Sequence, residues 1–357
     1  MAEDNGAGAV SAKLTLLEQP IKGIRKMYTE RGYFNFNPSD KRNEFDAGLE
    51  LVRKAKEATG LVIWSNIAGQ GGNTESWIKL GKAMEQAGAD ALELNFTCPN
   101  MGTSPDGEVT VGSGVGKDPE LCHLVTSELK KAVKIPVIPK ITVDCADIVA
   151  VYKAVERARA DAIVINCGLK GAPPIDIFNG GSIKMKGLSK CSFGGTVGHL
   201  NKQYSNRFVA MCAQATKLTI AGGGGITKWN DAVESIMFGA SLTTVCSVII
   251  TEGFPYLKKL IDGLSKFMDE NGYGSIAEMS GLALGNICET NELHKYNSDI
   301  IPVFDQGRCN GCGNCERLGC CNAIEIKDKK ATLISEENCQ YCGLCAAVCL
   351  KDAISFK

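Results

Sequence analysis

Cysteines crowded near the carboxyl end of the chain constrain its fold more than any other feature. Nine of the 17 cysteines lie between Cys309 and Cys349 in a chain of 357 residues. Spread through a short secreted protein, so many cysteines would indicate a disulfide scaffold, whereas local crowding indicates metal ligation. We expect the other eight, which are scattered along the chain, to be reduced thiols packed mostly in the core.

The spacing of these cysteines is typical of iron–sulfur ligation. The last four follow the pattern CxxCxxCxxxC, although Leu350 stands where a proline is customary. Bacterial-type ferredoxins bind a 4Fe-4S cluster with this pattern, and its fourth cysteine ligates a second cluster. Zinc sites also use CxxC pairs, but the repeated triple with a trailing cysteine is far more specific to iron–sulfur clusters.

A second copy of the pattern precedes the first and predicts a second cluster. It is completed by Cys320 or by the adjacent Cys321, of which we favour Cys320. Because the two motifs exchange their fourth ligand, two sets of ligands are expected. They are Cys309, Cys312, Cys315 and Cys349 for one cluster, and Cys339, Cys342, Cys345 and Cys320 for the other.

Upstream of the cysteines, short β-branched apolar runs alternate with amphipathic stretches, which predicts a parallel sheet with crossover helices. Seven runs indicate strands: 8–14, 60–68, 91–96, 135–141, 161–167, 217–223 and 241–248. A TIM-type (β/α)8 barrel needs eight, so we expect its first βα unit to be absent and the natural protein to begin upstream. The predicted domains are a barrel over 1–272, a connecting segment over 273–299 and a ferredoxin-like domain over 300–357.

Charge and hydropathy exclude several classes of partner. Lys and Arg number 39 and Asp and Glu number 40, so no surface for nucleic acid is indicated. The longest apolar runs fall well short of the roughly 18 residues that a membrane span needs, and the first residues lack the layout of a signal peptide. We therefore expect a cytoplasmic protein that binds neither nucleic acid nor a membrane.

The barrel segment predicts a phosphate site and, through it, a flavin. The run AGGGGI at 221–226 and the sequence CSV at 246–248 lie where a barrel binds phosphate in its last two loops. Two long segments, 15–45 and 168–200, fall where such folds build active sites. No GxGxxG opens a helix, so a nicotinamide-nucleotide domain is not expected. A protein with one-electron clusters and no hydride-donor site needs a cofactor that exchanges both electrons and hydride, as a flavin does.

The segment ALELNFTCPN at 91–100 resembles the active-site stretch of the dihydroorotate and dihydropyrimidine dehydrogenase family. Further motifs occur in the order and approximate spacing of that family's cofactor and substrate contacts, among them VSAKL, VIPKI, IVINC and FGG. With the cysteine-rich tail, the resemblance is to the bacterial dihydropyrimidine dehydrogenase subunits that carry FMN and iron–sulfur clusters.

The resemblance implies a role for each matched residue. Cys98 would be the proton donor to the substrate. The cofactor FMN would be bound by Lys13, Lys140, Gly194, Gly195, Gly224, Gly225, Cys246 and Ser247. The ring substrate would be bound by Asn35, Asn37, Asn95, Thr97, Asn100, Asn166 and Cys167.

Three departures from the family pattern bear on the substrate. Asn37 stands where the pyrimidine dehydrogenases carry an acidic residue, Cys167 stands where they carry threonine, and Asn100 matches the dihydroorotate dehydrogenases better. The expected activity is reduction of uracil or thymine, with dihydroorotate or another conjugated carbonyl as the alternative substrate. A third possibility, of another class, is an electron-transfer subunit that turns over nothing itself.

The absence of a nucleotide-binding motif also predicts partners. Electrons would come from a flavin-containing NAD(P)H-oxidising subunit or from a ferredoxin, and the resemblance implies an oligomer.

Overall fold

The computed structural model describes residues 1–18, 27–30, 34–38, 41–98, 111–166, 168–296 and 300–356. The chain divides into two compact units, Met1–Asn286 and Ile287–Lys357. The predicted connecting segment 273–299 is therefore shared between the two units. In this described part of the chain, no helix is long and apolar enough to cross a membrane.

Strands and helices alternate through most of the first unit. Its strands are β1 (Ala9–Ser11), β2 (Thr15–Leu16), β3 (Tyr28–Glu30), β4 (Phe34–Asn37), β5 (Val62–Ala68), β6 (Ala91–Phe96), β7 (Val137–Ile141), β8 (Ile163–Asn166), β9 (Leu169–Gly171), β10 (Ile175–Asp176), β11 (Ser182–Ile183), β12 (Gly194–Val197), β13 (Ile220–Gly223) and β14 (Leu242–Thr244). Its helices are α1 (Phe45–Ala58), α2 (Thr74–Gln86), α3 (Ser113–Gly116), α4 (Pro119–Ala132), α5 (Ile148–Arg157), α6 (Lys202–Ala215), α7 (Trp229–Met237), α8 (Ser247–Glu252), α9 (Pro255–Asn271) and α10 (Ile276–Met279).

Seven of these strands form one parallel sheet, in the order β1-β5-β6-β7-β8-β13-β14, and the short β2 pairs with the end of β5. Each predicted run contains one strand of this order, so the predicted parallel α/β architecture is confirmed. Within the described residues, β1 and β14 each have a single neighbour in the sheet. The sheet has the form of part of a TIM-type barrel, and the closed eight-stranded barrel stays a prediction.

The predicted strand 241–248 is wrong in its second half. Strand β14 ends at Thr244, and helix α8 begins at Ser247. The run of β-branched residues around Val248 favoured a strand, but an apolar run this short is compatible with either a buried strand or a buried helix. Here Val248 is buried on the helix that follows the turn.

The crossover segments are helical because they are capped and have one apolar face. The side chain of Asn73 caps α2 by accepting a hydrogen bond from Ser76 N at 3.3 Å, and Asp118 caps α4 in the same way. On the sheet side of α2, the ring of Trp77 contacts the ring of Phe96 edge to face, with 5.5 Å between centroids. The main core therefore lies between the helices and one face of the parallel sheet.

A second, antiparallel sheet joins the two long segments that follow β1 and β8. Its strand order is β3-β4-β12-β9, and Gly195 on β12 lies opposite Asn37 on β4. The segments predicted to build the active site thus pair with each other, although more than a hundred residues separate them in sequence.

The second unit is small. It contains α11 (Leu293–Tyr296), β15 (Pro302–Phe304), β16 (Ile324–Lys327), β17 (Lys330–Leu333), α12 (Leu344–Ala347) and β18 (Ile354–Phe356). Strand β15 pairs with β18 and β16 pairs with β17, both antiparallel. Its buried apolar core is limited to a few side chains, such as Ile324, Ala331 and Ile354, with several cysteines packed against them.

Candidate active site

The second face of the parallel sheet is apolar at one end and polar at the other. Because side chains alternate along a strand, every second residue of β5, β6 and β7 points to this face. Ala91 and Ile138 form a small apolar cluster there, against which Trp64 packs. Two residues closer to the carboxyl ends of the strands, the same face carries Glu93 on β6 and Lys140 on β7.

Glu93 is a buried carboxylate with three partners. Its side chain is only 2% exposed. It accepts a hydrogen bond from Ser11 Oγ at 2.6 Å and another from the side-chain amide of Asn66, and its Oε1 lies 3.5 Å from Lys140 Nζ. These partners compensate the cost of burying the charge.

Lys140 remains a cation despite its burial. Burial lowers the pKa of its ammonium group, but the carboxylate of Glu93 and the nearby thiols of Cys98 and Cys246 raise this pKa by more, so the net shift is upward. Lys140 thus carries a positive charge near the carboxyl end of β7, the strand next to β6.

Asn95 holds the residues that follow β6 in position. Its Oδ1 accepts hydrogen bonds from Thr97 N at 3.2 Å and from Cys98 N at 2.9 Å, and its Nδ2 donates to Asn66 Oδ1 at 3.0 Å. The amide oxygen of Asn95 is therefore engaged with the backbone, and it fixes the half-buried thiol of Cys98 at the carboxyl end of the sheet.

Two asparagines on β4 offer unused acceptors. Asn35 and Asn37 are two residues apart, so their side chains lie on the same face of the strand. The Oδ1 atoms of both are buried and have no hydrogen-bond partner in the described part of the chain. A buried acceptor without a partner is costly, so both atoms are suited to accept N–H groups from a bound molecule.

A glycine turn follows β13. Gly224 and Gly225 have φ values of 90° and 92°, which non-glycine residues rarely adopt. A Cβ atom on Gly225 would lie 2.5 Å from the backbone nitrogen of Lys202. Beside the turn, the hydroxyl of Thr244 is buried and has no partner among the described residues. Backbone at close approach and a free hydroxyl are suited to bind a phosphate group.

In the second unit, cysteines line two cavities. The first is lined by Cys309, Cys312, Cys315 and Cys349 among other residues, and the second by Cys315, Cys320, Cys321, Cys339, Cys342 and Cys345. Both cavities are partly open to solvent. In the second cavity, the sulfur atoms of Cys320 and Cys342 are 3.8 Å apart. No group of three or more potential ligands within the described residues converges on a single metal ion.

Comparison with known proteins identifies the family of this chain. The sequence profile of the dihydroorotate dehydrogenase family matches residues 42–268, well over half of the chain. The chain belongs to the dihydroorotate dehydrogenase family. Members of this family bind FMN and are oxidoreductases that act on CH–CH groups.

Individual relatives include proteins with two different substrates in their names. The NAD-dependent dihydropyrimidine dehydrogenase subunit PreA of Escherichia coli (strain K12) is 30% identical over 293 residues, which are 80% of this chain and 69% of that protein. The catalytic subunit of dihydroorotate dehydrogenase B (NAD(+)) from Thermoplasma acidophilum is 33% identical over 282 residues, which are 79% of this chain and 88% of that protein. The predicted family resemblance is confirmed.

The remaining residues matched to the dehydrogenase family fall in different surroundings. Gly194 lies against the backbone of Asn37, where a Cβ atom would collide with it, so this glycine allows β12 to pack beside the asparagine-bearing strand. Lys13 is an exposed residue between β1 and β2, and its carbonyl accepts a hydrogen bond from Thr15 Oγ1 at 3.3 Å. Asn166 ends β8 opposite Gly223.

Of the last four predicted residues, two lie at the start of α8 and two lie outside the described residues. Cys246 is exposed and Ser247 is half-buried at the start of α8, beyond the end of β14. Asn100 and Cys167 lie outside the described residues, so the interpretation based on them stays a prediction.

Sequence reasoning missed two buried charged residues in this family site. Glu93 could have been found, because it is an acid at an inward position of the otherwise apolar strand ALELNF. Arg42 carried no comparable signal, because it stands in a polar stretch before α1. Its side chain is only 6% exposed, and its Nε and Nη1 atoms have no hydrogen-bond partner in the part of the chain that the structure describes.

Proposed function

We propose that this chain is an FMN-dependent oxidoreductase that acts on the CH–CH or C=C bond of a small polar ring, of the dihydropyrimidine type such as uracil or thymine. The observation that carries the proposal is the arrangement at the end of β6, where Asn95 fixes the Cys98 thiol near the buried Lys140–Glu93 pair. A proton donor and a buried cation at the carboxyl edge of a barrel-type sheet suit a reaction that moves a hydride and a proton.

The described residues fit FMN at two points. The turn of Gly224 and Gly225, with the hydroxyl of Thr244, would bind the phosphate, and the start of α8 would contribute backbone groups. Lys140 would contact the ring system, where its positive charge favours negative charge on the cofactor. When bound, FMN supplies the hydride chemistry that side chains lack.

Cys98 would supply the proton. Reduction of an activated double bond adds a hydride to one carbon and a proton to its neighbour, so a group on the substrate's other side must be acidic. A thiol carries a proton that it can transfer as a general acid. Asn35, Asn37 and Asn166 would orient the ring through its N–H and C=O groups.

The second unit would hold two 4Fe-4S clusters. Each predicted set of four cysteines lies within the lining of one cavity, although Cys315 lines both cavities and Cys321 also lines the second. The small apolar core of this unit also favours a metal centre as a source of stability.

Electrons would pass between this chain and a second protein. The relatives named above are subunits of NAD-dependent enzymes by their names, which supports an NAD(P)H-oxidising flavoprotein subunit as partner. If the purified chain alone were reduced by NADPH at a catalytic rate, this part of the proposal would be wrong.

Dihydroorotate is the second candidate substrate. The Thermoplasma acidophilum relative, whose name gives this substrate, is covered over 88% of its length. Stopped-flow oxidation of the reduced protein by uracil, thymine and orotate would distinguish the two candidates.

Replacement of Cys98 tests the proposed chemistry. In Cys98→Ala, the bound FMN and iron should stay at parental levels, whereas single-turnover reduction of the ring should slow by about 100-fold or more, as expected for the loss of a general acid. Cys145→Ala, which alters another half-buried cysteine of the first unit, is the matched control. Turnover of Cys98→Ala within a few-fold of the parent would remove Cys98 from the mechanism.

A further inference from the structure

Arg42 is a buried cation with unused hydrogen-bond donors on two of its three guanidinium nitrogens. Its side chain is 6% exposed, and its Nε and Nη1 atoms are buried without a partner in the described ranges. A buried charge is normally paired, because leaving a charged donor unsatisfied costs more than leaving a neutral one. Nε and Nη1 are therefore available to an acceptor that the described residues do not supply.

The backbone places Arg42 at the carboxyl edge of the parallel sheet. The next residue, Asn43, donates its N–H to Leu14 O at 2.9 Å, and its own carbonyl accepts a hydrogen bond from Leu16 N at 3.2 Å. Since β2 pairs with the end of β5, Arg42 is anchored beside the carboxyl end of β5. Cys98 follows β6, the neighbouring strand.

The electrostatics of Arg42 agree with this position. Burial lowers the pKa of its guanidinium group, and the thiol of Cys98 opposes this shift. Neither Nε nor Nη1 of Arg42 donates a hydrogen bond to Cys98. An acceptor that reaches Arg42 would lie at the same edge of the parallel sheet as the proposed proton donor.

The same segment of chain carries the unused acceptors on β4. Asn35 and Asn37 present buried amide oxygens that need N–H groups, and Arg42 presents N–H groups that need a negatively charged oxygen. A planar ring with N–H groups and an anionic substituent has the complementary chemistry, whereas a neutral ring would satisfy the asparagines and leave the guanidinium unpaired.

We propose that Arg42 is a specificity-determining residue that binds a negatively charged substituent, such as a carboxylate, on the ring substrate. The inference rests on the proposed function and bears on its substrate, because it favours an acidic ring, as in the second candidate, over uracil and thymine. Arginine suits this role because its guanidinium can bind both oxygens of a carboxylate at once.

The test compares two probes on four proteins. Binding of orotate and of uracil to the FMN-loaded chain would be measured by titration calorimetry for the parent, Arg42→Gln, Arg42→Lys and Lys41→Gln. Lys41 is exposed and adjacent to Arg42, so Lys41→Gln removes the same charge without touching the buried site.

We expect the parent and Lys41→Gln to bind orotate at least about 10-fold more tightly than uracil, and Arg42→Gln to lose most of this preference, since a charge-assisted hydrogen bond corresponds to about 10- to 100-fold in affinity. Arg42→Lys should retain part of it, because the charge remains and the bidentate geometry is lost. Equal binding of both rings by the parent, or an unchanged preference in Arg42→Gln, would overturn this inference and leave the proposed function intact. Binding of neither ring would overturn both.

Thermal melting without ring ligand gives a second readout. An unpaired buried charge does not help the fold, so Arg42→Met should melt at or above the temperature of the parent while its stabilisation by orotate disappears. A marked fall in melting temperature without ligand would show that Arg42 is a structural residue and would contradict the inference.

Discussion

Replacement of Glu93 by glutamine tests the buried pair on which the candidate site depends. Glu93 is 2% exposed, and its Oε1 lies 3.5 Å from Lys140 Nζ. At this distance two unit charges attract by about 5 kcal/mol at an effective dielectric constant of about 20. Glutamine keeps the shape of the side chain but leaves the ammonium group of Lys140, whose side chain is 19% exposed, without its carboxylate partner, and removal of one partner of a buried pair typically costs about 3–5 kcal/mol. We therefore expect the free energy of unfolding to fall by about 3 kcal/mol or more.

Urea denaturation followed by tryptophan fluorescence measures this change in the first unit alone. The three tryptophans of the chain, Trp64, Trp77 and Trp229, all lie within Met1–Asn286. The matched control is Glu128→Gln, because Glu128 pairs with Lys131 at the surface at 2.5 Å. That pair should contribute less than about 1 kcal/mol, as exposed ion pairs generally do.

The pH dependence provides an independent check of the sign. The pKa of Lys140 is raised above its usual value of 10.5 in the folded protein. The contribution of the pair is therefore fully present below about pH 10.5 and is lost as the pH rises through the higher folded value. The stability difference between the parent and Glu93→Gln should narrow above that pH. A stability loss below about 1 kcal/mol at pH 7, or a difference that does not narrow at alkaline pH, would refute the assignment.

Two further predictions concern the cofactors. Gly225→Ala should weaken FMN binding by about 5- to 150-fold, since backbone strain at a positive φ costs about 1–3 kcal/mol and the new Cβ would crowd Lys202. Equilibrium dialysis measures this loss of affinity. The control is Gly180→Ala, because Gly180 has a φ of 59° and open space around it. Cys349→Ser should lower the iron content from about eight to about four atoms per chain. Cys288→Ser, which alters a cysteine outside both cavities, should leave the iron content unchanged. A full iron content in Cys349→Ser would contradict the crossed ligand assignment.

Periodicity explains why much of the fold could be predicted from the sequence. The run ALELNF predicted strand 91–96, and the structure has the same bounds for β6. The same alternation puts Glu93 and Asn95 on one face, because inward and outward positions repeat every two residues, but Glu93 was not among the predicted site residues. The cysteine spacing could be interpreted for a similar reason, because cluster ligands that are a few residues apart in sequence must approach one centre.

Contacts between distant segments could not be predicted in this way. Pairing of β4 with β12 joins residues such as Asn37 and Gly195, whose partnership leaves no trace in local periodicity. The role of Asn95 was also beyond sequence reasoning, because a side-chain amide can bind a ring or a backbone, and only coordinates show that Thr97 N and Cys98 N occupy its oxygen. Arg42 belongs to the same class, since burial of a charge depends on the chain around it.

The polar atoms of the candidate site divide into a satisfied set and an unsatisfied set. Glu93, Asn66 and Asn95 lie on central strands of the parallel sheet and satisfy one another before any ligand binds. The unsatisfied atoms of Asn35 and Arg42 lie in the segment inserted after β2. Each such atom costs about 1–3 kcal/mol while it stays unpaired, so a ligand that pairs with it removes a cost that is already present. The sheet thus holds the thiol and the lysine in place, while the inserted segment is where binding energy and substrate selection are expected to arise.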